Sequence, residues 1–257
     1  MPFTFSHIGY ILPIKHKWKN KLSSTGLILG SLAPDYDILF RLTNFRFHLF
    51  QYNIITILLI IFPLALLSSF MFHFFCRNII IEHLSQVLKD KYAPLRTFQF
   101  CKYFKKNYVY ISASVIIAIL IHLCLDYMCH FIDAYRVKIF ILDQTESKKA
   151  ANFAYLFSIY SLPVLFSIAG FYLIYLYEFR DISLQDIFLI SKPDTVFWII
   201  VTIITFLLTF IKLYLTKIDT DFYIDYIIIS FTSSALLSLF TTCLLFYLLK
   251  RSNLRKT

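Results

Sequence analysis

Two histidines and an aspartate share one stripe of an apolar segment in the middle of the chain. The segment "IIAILIHLCLDYMCH" covers Ile116 to His130, and His122, Asp126 and His130 follow one another at intervals of four residues. On an α-helix such residues lie on nearly the same face, about 6 Å apart along the axis, so His122 and Asp126 can reach one metal ion. His130 lies about 12 Å from His122 along that axis, which suits a second ion, the substrate or a supporting contact.

A carboxylate in such a segment needs compensation. On insertion scales it costs about 2.5–3.5 kcal/mol, and intramembrane Asp and His residues usually face a partner or a water-filled cavity. Imidazole and carboxylate ligands without thiolates suit zinc, manganese or iron, and their spacing does not choose among the three. The alternative is a His–Asp pair that only joins two helices.

Further His and Asp residues lie near the ends of other apolar segments. His7 stands at the start of the first one, Asp35 and Asp37 follow Pro34, and His48 precedes the next long apolar run. Each has a simpler interpretation as well: a histidine at the membrane interface is often only solvated or hydrogen-bonded, and an aspartate after proline often caps a turn.

The elements that must position these residues belong to a membrane protein. The 257 residues are 59% hydrophobic and 16% charged, whereas soluble domains are nearer one half and one quarter. The net charge of +10 indicates loops that face an anionic leaflet, with no nucleic acid as a partner. We predict one integral-membrane domain over residues 1–257, with a motif-bearing core at 1–132 and carboxy-terminal spans within 153–249. The five cysteines form no C-x-x-C pair, which predicts neither a disulfide nor a cysteine metal site.

The apolar segments predict an all-α polytopic membrane helix bundle of about six spans, since a crossing needs about 20 apolar residues. The predicted spans are Leu22–Phe40, Asn53–Phe75, Tyr108–His130, Phe153–Tyr177, Val196–Leu215 and Ile224–Leu249. Leu22–Phe40 is the weakest of them because it contains glycines, a proline and two aspartates. Phe3–Ile14 is too short to cross and predicts a half-membrane or interfacial helix. Ile79–Lys91 predicts an amphipathic helix on the membrane surface, with His83 on its solvated side.

The positions of Lys and Arg predict the orientation. If Leu22–Phe40 crosses and both termini are cytoplasmic, 17 of the 25 basic residues lie on the cytoplasmic side and 8 outside. This topology brings His7, Asp35, Asp37 and His48, together with the stripe from His122 to His130, to the outer side of the membrane.

Several motifs resemble an uncharacterised bacterial membrane family, domain of unknown function 4184. They are "MPFTFSH" at the start, "GSLAPD" at Gly30–Asp35, a histidine before the next span, and "HLCLDYMCH" at His122–His130. That family is similar to membrane-bound metal-dependent hydrolase-like proteins, whose "PDxD" and "HxxxD" motifs are similar to the metal ligands of zinc-dependent phospholipase C. The family has a serine directly after the histidine that matches His48, whereas this chain has Leu49.

The resemblance implies a divalent metal ion, zinc first, held by His7, Asp35, His48, His122 and Asp126. Asp37 and His130 are then candidates for the catalytic general base. The leading hypothesis is a hydrolase of a lipid-borne ester or phosphoester at the outer leaflet of the bacterial cytoplasmic membrane. The alternative is a metal or proton transporter, or a scaffold, that uses the same residues. The last three spans carry almost no charge apart from Lys212, which favours the enzyme over the transporter.

Overall fold

The computed structural model describes residues 4–18, 21–36, 53–142, 163–182, 195–215 and 223–253. These ranges are helical, with no strand among them, which confirms the predicted all-α membrane class. The helices are α1 (His7–Lys17), α2 (Ser24–Leu32), α3 (Ile54–His83), α4 (Gln86–Arg96), α5 (Phe100–Leu142), α6 (Pro163–Phe179), α7 (Thr195–Leu215) and α8 (Tyr223–Asn253). Short 3-10 turns precede α1 at Thr4–Ser6 and follow α2 at Ala33–Asp35.

Four described helices contain a stretch that is long and apolar enough to cross a membrane. These stretches are Ile54–His83, Phe100–Met128, Thr195–Leu215 and Ser230–Ser252. They correspond to four of the six predicted spans. Two of them are longer than predicted: α3 continues past Phe75, through a π-helical segment at Phe72–Cys76, and α5 begins eight residues before Tyr108. Asn107, with φ −126° and ψ 25°, kinks α5.

The other two predicted spans fall partly outside the described residues. Of Leu22–Phe40, the structure describes α2, nine residues long, and the turn that follows it. Residues 37–40 lie outside the described ranges. Of Phe153–Tyr177, it describes α6, an apolar helix of fewer than 18 residues. Crossing by these two segments therefore stays a prediction.

The predicted amphipathic helix at Ile79–Lys91 is wrong. The chain leaves the helical conformation at Leu84 and Ser85, whose ψ angles of 166° and 154° are extended, so α3 ends at His83 and α4 begins at Gln86. His83 is buried, with its ring stacked on Phe197 at a centroid distance of 4.4 Å. The reason is that this end of α3, including Ile79 and Ile81, is buried, and a mixture of polar and apolar residues does not distinguish a surface helix from the end of a crossing.

Packing divides the chain into two compact units. The first comprises Met1–Pro34, Leu59–Leu66 and Asn107–Asp181, and the second comprises Asp35–Leu58, Leu67–Lys106 and Ile182–Thr257. The single domain expected over residues 1–257 stays a prediction.

Glycines set the close helix contacts of the first unit. Gly26 and Gly30 on α2 face α5, where an added Cβ would lie 2.9 Å from the carbonyl oxygen of Ile111 and 2.8 Å from that of Val115. Small residues four apart let two membrane helices approach at backbone distance. The amide of Ser23, which caps α2, donates to the Ser114 hydroxyl at 2.8 Å. The contacting residue on α5 moves from Ile111 to Val115 as the glycine on α2 moves from Gly26 to Gly30. The two helices α2 and α5 therefore run parallel.

A seam of buried hydroxyl groups joins α7 to α8 in the second unit. Thr205 and Ser238 lie 2.6 Å apart across the seam, and Lys212 donates to the Ser233 hydroxyl. Other buried members on the two helices are Thr209, Ser230, Ser234 and Thr242. The sequence shows almost no charge in the last spans apart from Lys212, but it does not predict that the hydroxyl groups of α7 and α8 are buried. An apolar cluster around Cys76, Phe197 and Cys243 packs these two helices against α3.

Candidate metal centre

Three of the predicted ligands lie together inside the first unit. His7 is the first residue of α1, and His122 and Asp126 lie one turn apart on α5. All three are buried, with 1%, 0% and 4% of their surface exposed. One ligand atom from each lies within 4.8 Å of the other two. The site thus needs two helices that are far apart in sequence.

The separations between these side chains fit a metal ion. Asp126 Oδ2 lies 3.3 Å from His122 Nε2, and Asp126 Oδ1 lies 3.8 Å from His7 Nε2. A tetrahedral ion with ligands at 2.0–2.2 Å places neighbouring ligand atoms roughly 3.3–3.6 Å apart. The two imidazole rings stack with centroids 4.0 Å apart and planes 24° from parallel. Small adjustments of the rings would bring all three ligand atoms around one ion.

A backbone carbonyl orients His122. Its Nδ1 lies 2.7 Å from the carbonyl oxygen of Ser31 on α2. A carbonyl oxygen only accepts, so Nδ1 carries a proton and donates it. In the neutral ring the lone pair is then on Nε2, the nitrogen that faces Asp126. Metal-bound histidines are oriented in the same way, by a donated bond from the second ring nitrogen.

Asp126 is the group that most needs a cation. Both of its oxygens are buried, and neither accepts a hydrogen bond from the residues that the structure describes. A buried carboxylate is costly unless it is paired or bound to a metal. A divalent ion would satisfy it, and so would a doubly protonated imidazole at His7 or His122, which is the structural pair of the sequence hypothesis. The donor set of two imidazoles and one carboxylate fits zinc, manganese or iron.

The other predicted site residues are placed as follows. Asp35, at the end of the turn after α2, is buried and belongs to the second unit. Asp37 and His48 lie outside the described residues. His130 lies within α5, and the structure does not describe its side chain. Their roles as ligands or bases stay predictions.

Sequence reasoning missed Ser31 as a part of the site. Ser31 contributes its main-chain oxygen, and such a contribution cannot be predicted from the residue type. The signal that was available is "GLILG", where Gly26 and Gly30 predict a close helix contact. Gly30 holds α2 against Val115 and Ala118 on α5, and the next carbonyl then reaches His122.

Comparison with known proteins identifies the family of the chain. No curated protein matches the chain, and no solved structure does. A family model, described as domain of unknown function (DUF4184), matches residues 1–246. That match covers nearly the whole sequence, including His7, Ser31, His122 and Asp126, and the chain belongs to this family.

Proposed function

We propose that the protein is a membrane-embedded, metal-dependent hydrolase of a lipid-borne ester or phosphoester. The observation that carries the proposal is the buried group of His7, His122 and Asp126. These residues would hold a divalent ion, with zinc first and manganese or iron as alternatives. Once bound, such an ion lowers the pKa of a coordinated water toward about 7 and polarises an ester oxygen.

Each residue of the proposed metal site would have a distinct role. Asp126 would offset part of the charge of the ion, and the hydrogen bond to the Ser31 carbonyl would keep His122 Nε2 directed toward the ion. We also propose Asp35 and His48 as further ligands, and Asp35 follows Ser31 by four residues in the sequence. Asp37 or His130 would accept the proton of the attacking water.

The substrate would reach the site from the outer leaflet. This part of the proposal rests on the distribution of Lys and Arg, which favours cytoplasmic termini. Cysteine labelling of intact cells tests it: a cysteine in place of Lys148 should react with an impermeant reagent, and one in place of Lys89 should not. The reverse pattern would put the site on the wrong side for an outer-leaflet substrate.

Metal content is the decisive measurement. The full chain, purified in detergent through an affinity tag without histidines, should retain about one equivalent of metal. Asp126→Asn should lose it while the folding of the protein, judged by circular dichroism, is unchanged. The matched control is His16→Ala, because His16 is exposed on the same helix as His7. Equal metal in wild type and Asp126→Asn would favour the structural His–Asp pair.

Activity is tested separately. The metal-loaded protein should hydrolyse a fluorogenic phosphodiester or ester lipid in mixed micelles, and removal of the metal by a chelator should abolish the reaction. Retained metal with no hydrolysis across both substrate classes would contradict the enzyme and keep the metal site.

A second candidate, a non-catalytic transporter of metal ions or protons, gains support from the seam between α7 and α8. Intramembrane polar groups mark ion pathways as readily as catalytic sites, and Lys212 is buried there among hydroxyls. Metal or proton flux into liposomes, abolished by Asp126→Asn, would favour this candidate over the hydrolase.

A further inference from the structure

A cationic cavity lies in the second unit, lined by the last turns of α3, the loop between α4 and α5, and the first turns of α5. Its volume is about 580 Å³, and four of the residues that line it are basic: Arg77, Arg96, Lys102 and Lys105. None of its lining residues is acidic. The remaining wall includes the aromatic rings of Phe98 and Phe100. The cavity therefore combines concentrated positive charge with an apolar surface.

The buried member of the set, Arg77, shapes the cavity. Its guanidinium donates to the carbonyl oxygen of Phe98 at 2.6 Å and more weakly to that of Arg96 at 3.4 Å, which fixes the loop between α4 and α5. Among the described residues, no carboxylate lies within ion-pair distance of Arg77. Arg77 thus adds a positive charge to the lining of the cavity, and its hydrogen bonds hold the loop between α4 and α5 in place.

The charges at the rim are only weakly neutralised. Arg96 lies 3.9 Å from Glu82, but Glu82 is held more closely by Lys250, at 2.6 Å. Lys102 and Lys105 are exposed on the first turns of α5, and the structure gives neither an acidic partner among the residues it describes. The basic side chains of the cavity can therefore bind an anion that is not part of this chain.

The position of the cavity on the helices indicates the source of that anion. A 30-residue helix such as α3 is about 45 Å long, whereas the hydrocarbon core of a bilayer is about 30 Å thick. Arg77 lies six residues from the end of α3, and Lys102 lies two residues from the start of α5. From these lengths we expect both positions to lie where the helices leave the hydrocarbon, at the depth of lipid headgroups.

We propose that this cavity binds the phosphate of an anionic phospholipid headgroup. Lys102, Lys105 and Arg96 contact the phosphate oxygens from the rim, and the acyl chains leave along the apolar surface beside Phe74, which is 54% exposed. Clusters of Lys and Arg beside a membrane helix attract anionic lipids. A zwitterionic lipid binds less well because four cations repel its choline. The residues that line the cavity include none of the proposed metal ligands, and this proposal does not depend on the hydrolase proposal.

Native mass spectrometry of the full chain in a neutral detergent tests the proposal, with short-chain phosphatidylglycerol and phosphatidylcholine as probes. The wild type should bind phosphatidylglycerol at least tenfold more tightly than phosphatidylcholine. The double variant Lys102→Gln/Lys105→Gln should weaken phosphatidylglycerol binding at least tenfold. Arg77 is left unchanged because its loss would release the loop.

The matched control is Lys89→Gln/Lys106→Gln, which removes the same charge from the same part of the chain outside the cavity. It should change binding less than threefold. Equal losses in the two double variants would overturn the proposal, since attraction would then be a property of the whole basic surface. Displacement of the lipid by an equimolar amount of inorganic phosphate would also overturn it, because the occupant would then be a free anion. Metal content should stay unchanged in both variants, which separates this test from that of the metal site.

Discussion

Replacing Gly9 with alanine tests whether the contact between α1 and α6 sets the position of His7. A Cβ on Gly9 would lie 1.9 Å from the carbonyl oxygen of Gly170, and ordinary contacts begin near 3.4 Å. The obstacle is backbone, so it cannot rotate away. The two helices must separate locally by about 1.5 Å, the difference between these two distances.

Two effects should follow from that separation. Overpacking of this kind costs about 1–3 kcal/mol, which lowers the Tm. His7 lies two residues before Gly9, and metal sites accept ligand displacements of only about 0.2 Å. A shift of α1 by several times that distance should weaken metal binding by tenfold or more, the loss that misoriented ligands typically show.

The assay combines Tm, followed by tryptophan fluorescence, with zinc competition against a fluorescent chelator. Gly170→Ala should reproduce both effects from the opposite helix, because its Cβ would lie 2.3 Å from the Ser6 carbonyl oxygen. Lys17→Ala, exposed on α1, is the control and should change neither quantity. A lower Tm with unchanged zinc affinity would refute the idea that this contact positions His7, and unchanged Tm would refute the contact itself.

Three further predictions concern single contacts. A double-mutant cycle of Thr205→Ala and Ser238→Ala, measured by steric trapping in bicelles, should give a coupling of about 0.6 kcal/mol, and no coupling would mean that the seam hydroxyls do not interact. His83→Ala should lower stability by about 2 kcal/mol through loss of buried contacts and leave metal content unchanged; loss of metal would contradict the assignment of the site to His7, His122 and Asp126. Lys15→Met should cost less than about 1 kcal/mol, because its 2.8 Å ion pair with Glu178 is partly exposed, and the loss should shrink as salt rises.

Periodicity and residue type predict part of the site. The four-residue spacing of His122 and Asp126 places both on one face, and the family resemblance adds His7. Nothing in local spacing requires α1 to approach α5, because that approach depends on packing through α2. Side-chain types do not predict that the Ser31 carbonyl belongs to the site. Gly26 and Gly30 on the same helix nevertheless predict the close helix contact that brings this carbonyl to His122.

The fold is predictable at the level of class and less so at helix ends. Long apolar runs predict four helices that the structure also shows as candidate spans. The end of α3 is missed because His83 and its neighbours mix polar and apolar residues, as a surface helix does. Their burial depends on Phe197 and Phe246, which lie more than a hundred residues away in the sequence. Likewise, serines and threonines within an apolar run give no sign of whether they face lipid or a partner helix.

The hydroxyl seam has a consequence for how the protein is made. As α7 emerges alone into lipid, Lys212 and the seam threonines have no partner helix, and a lysine within a span costs about 2.5–3.5 kcal/mol on insertion scales. α8 is the least hydrophobic of the four candidate spans, and its serines face the same difficulty. Contact between α7 and α8 removes the cost of the unpartnered polar residues on each helix. Only residues 216–222 separate the two helices. The helical hairpin is therefore the unit that we expect the insertion machinery to release into the bilayer, and a chain that ends between α7 and α8 should be held back and degraded.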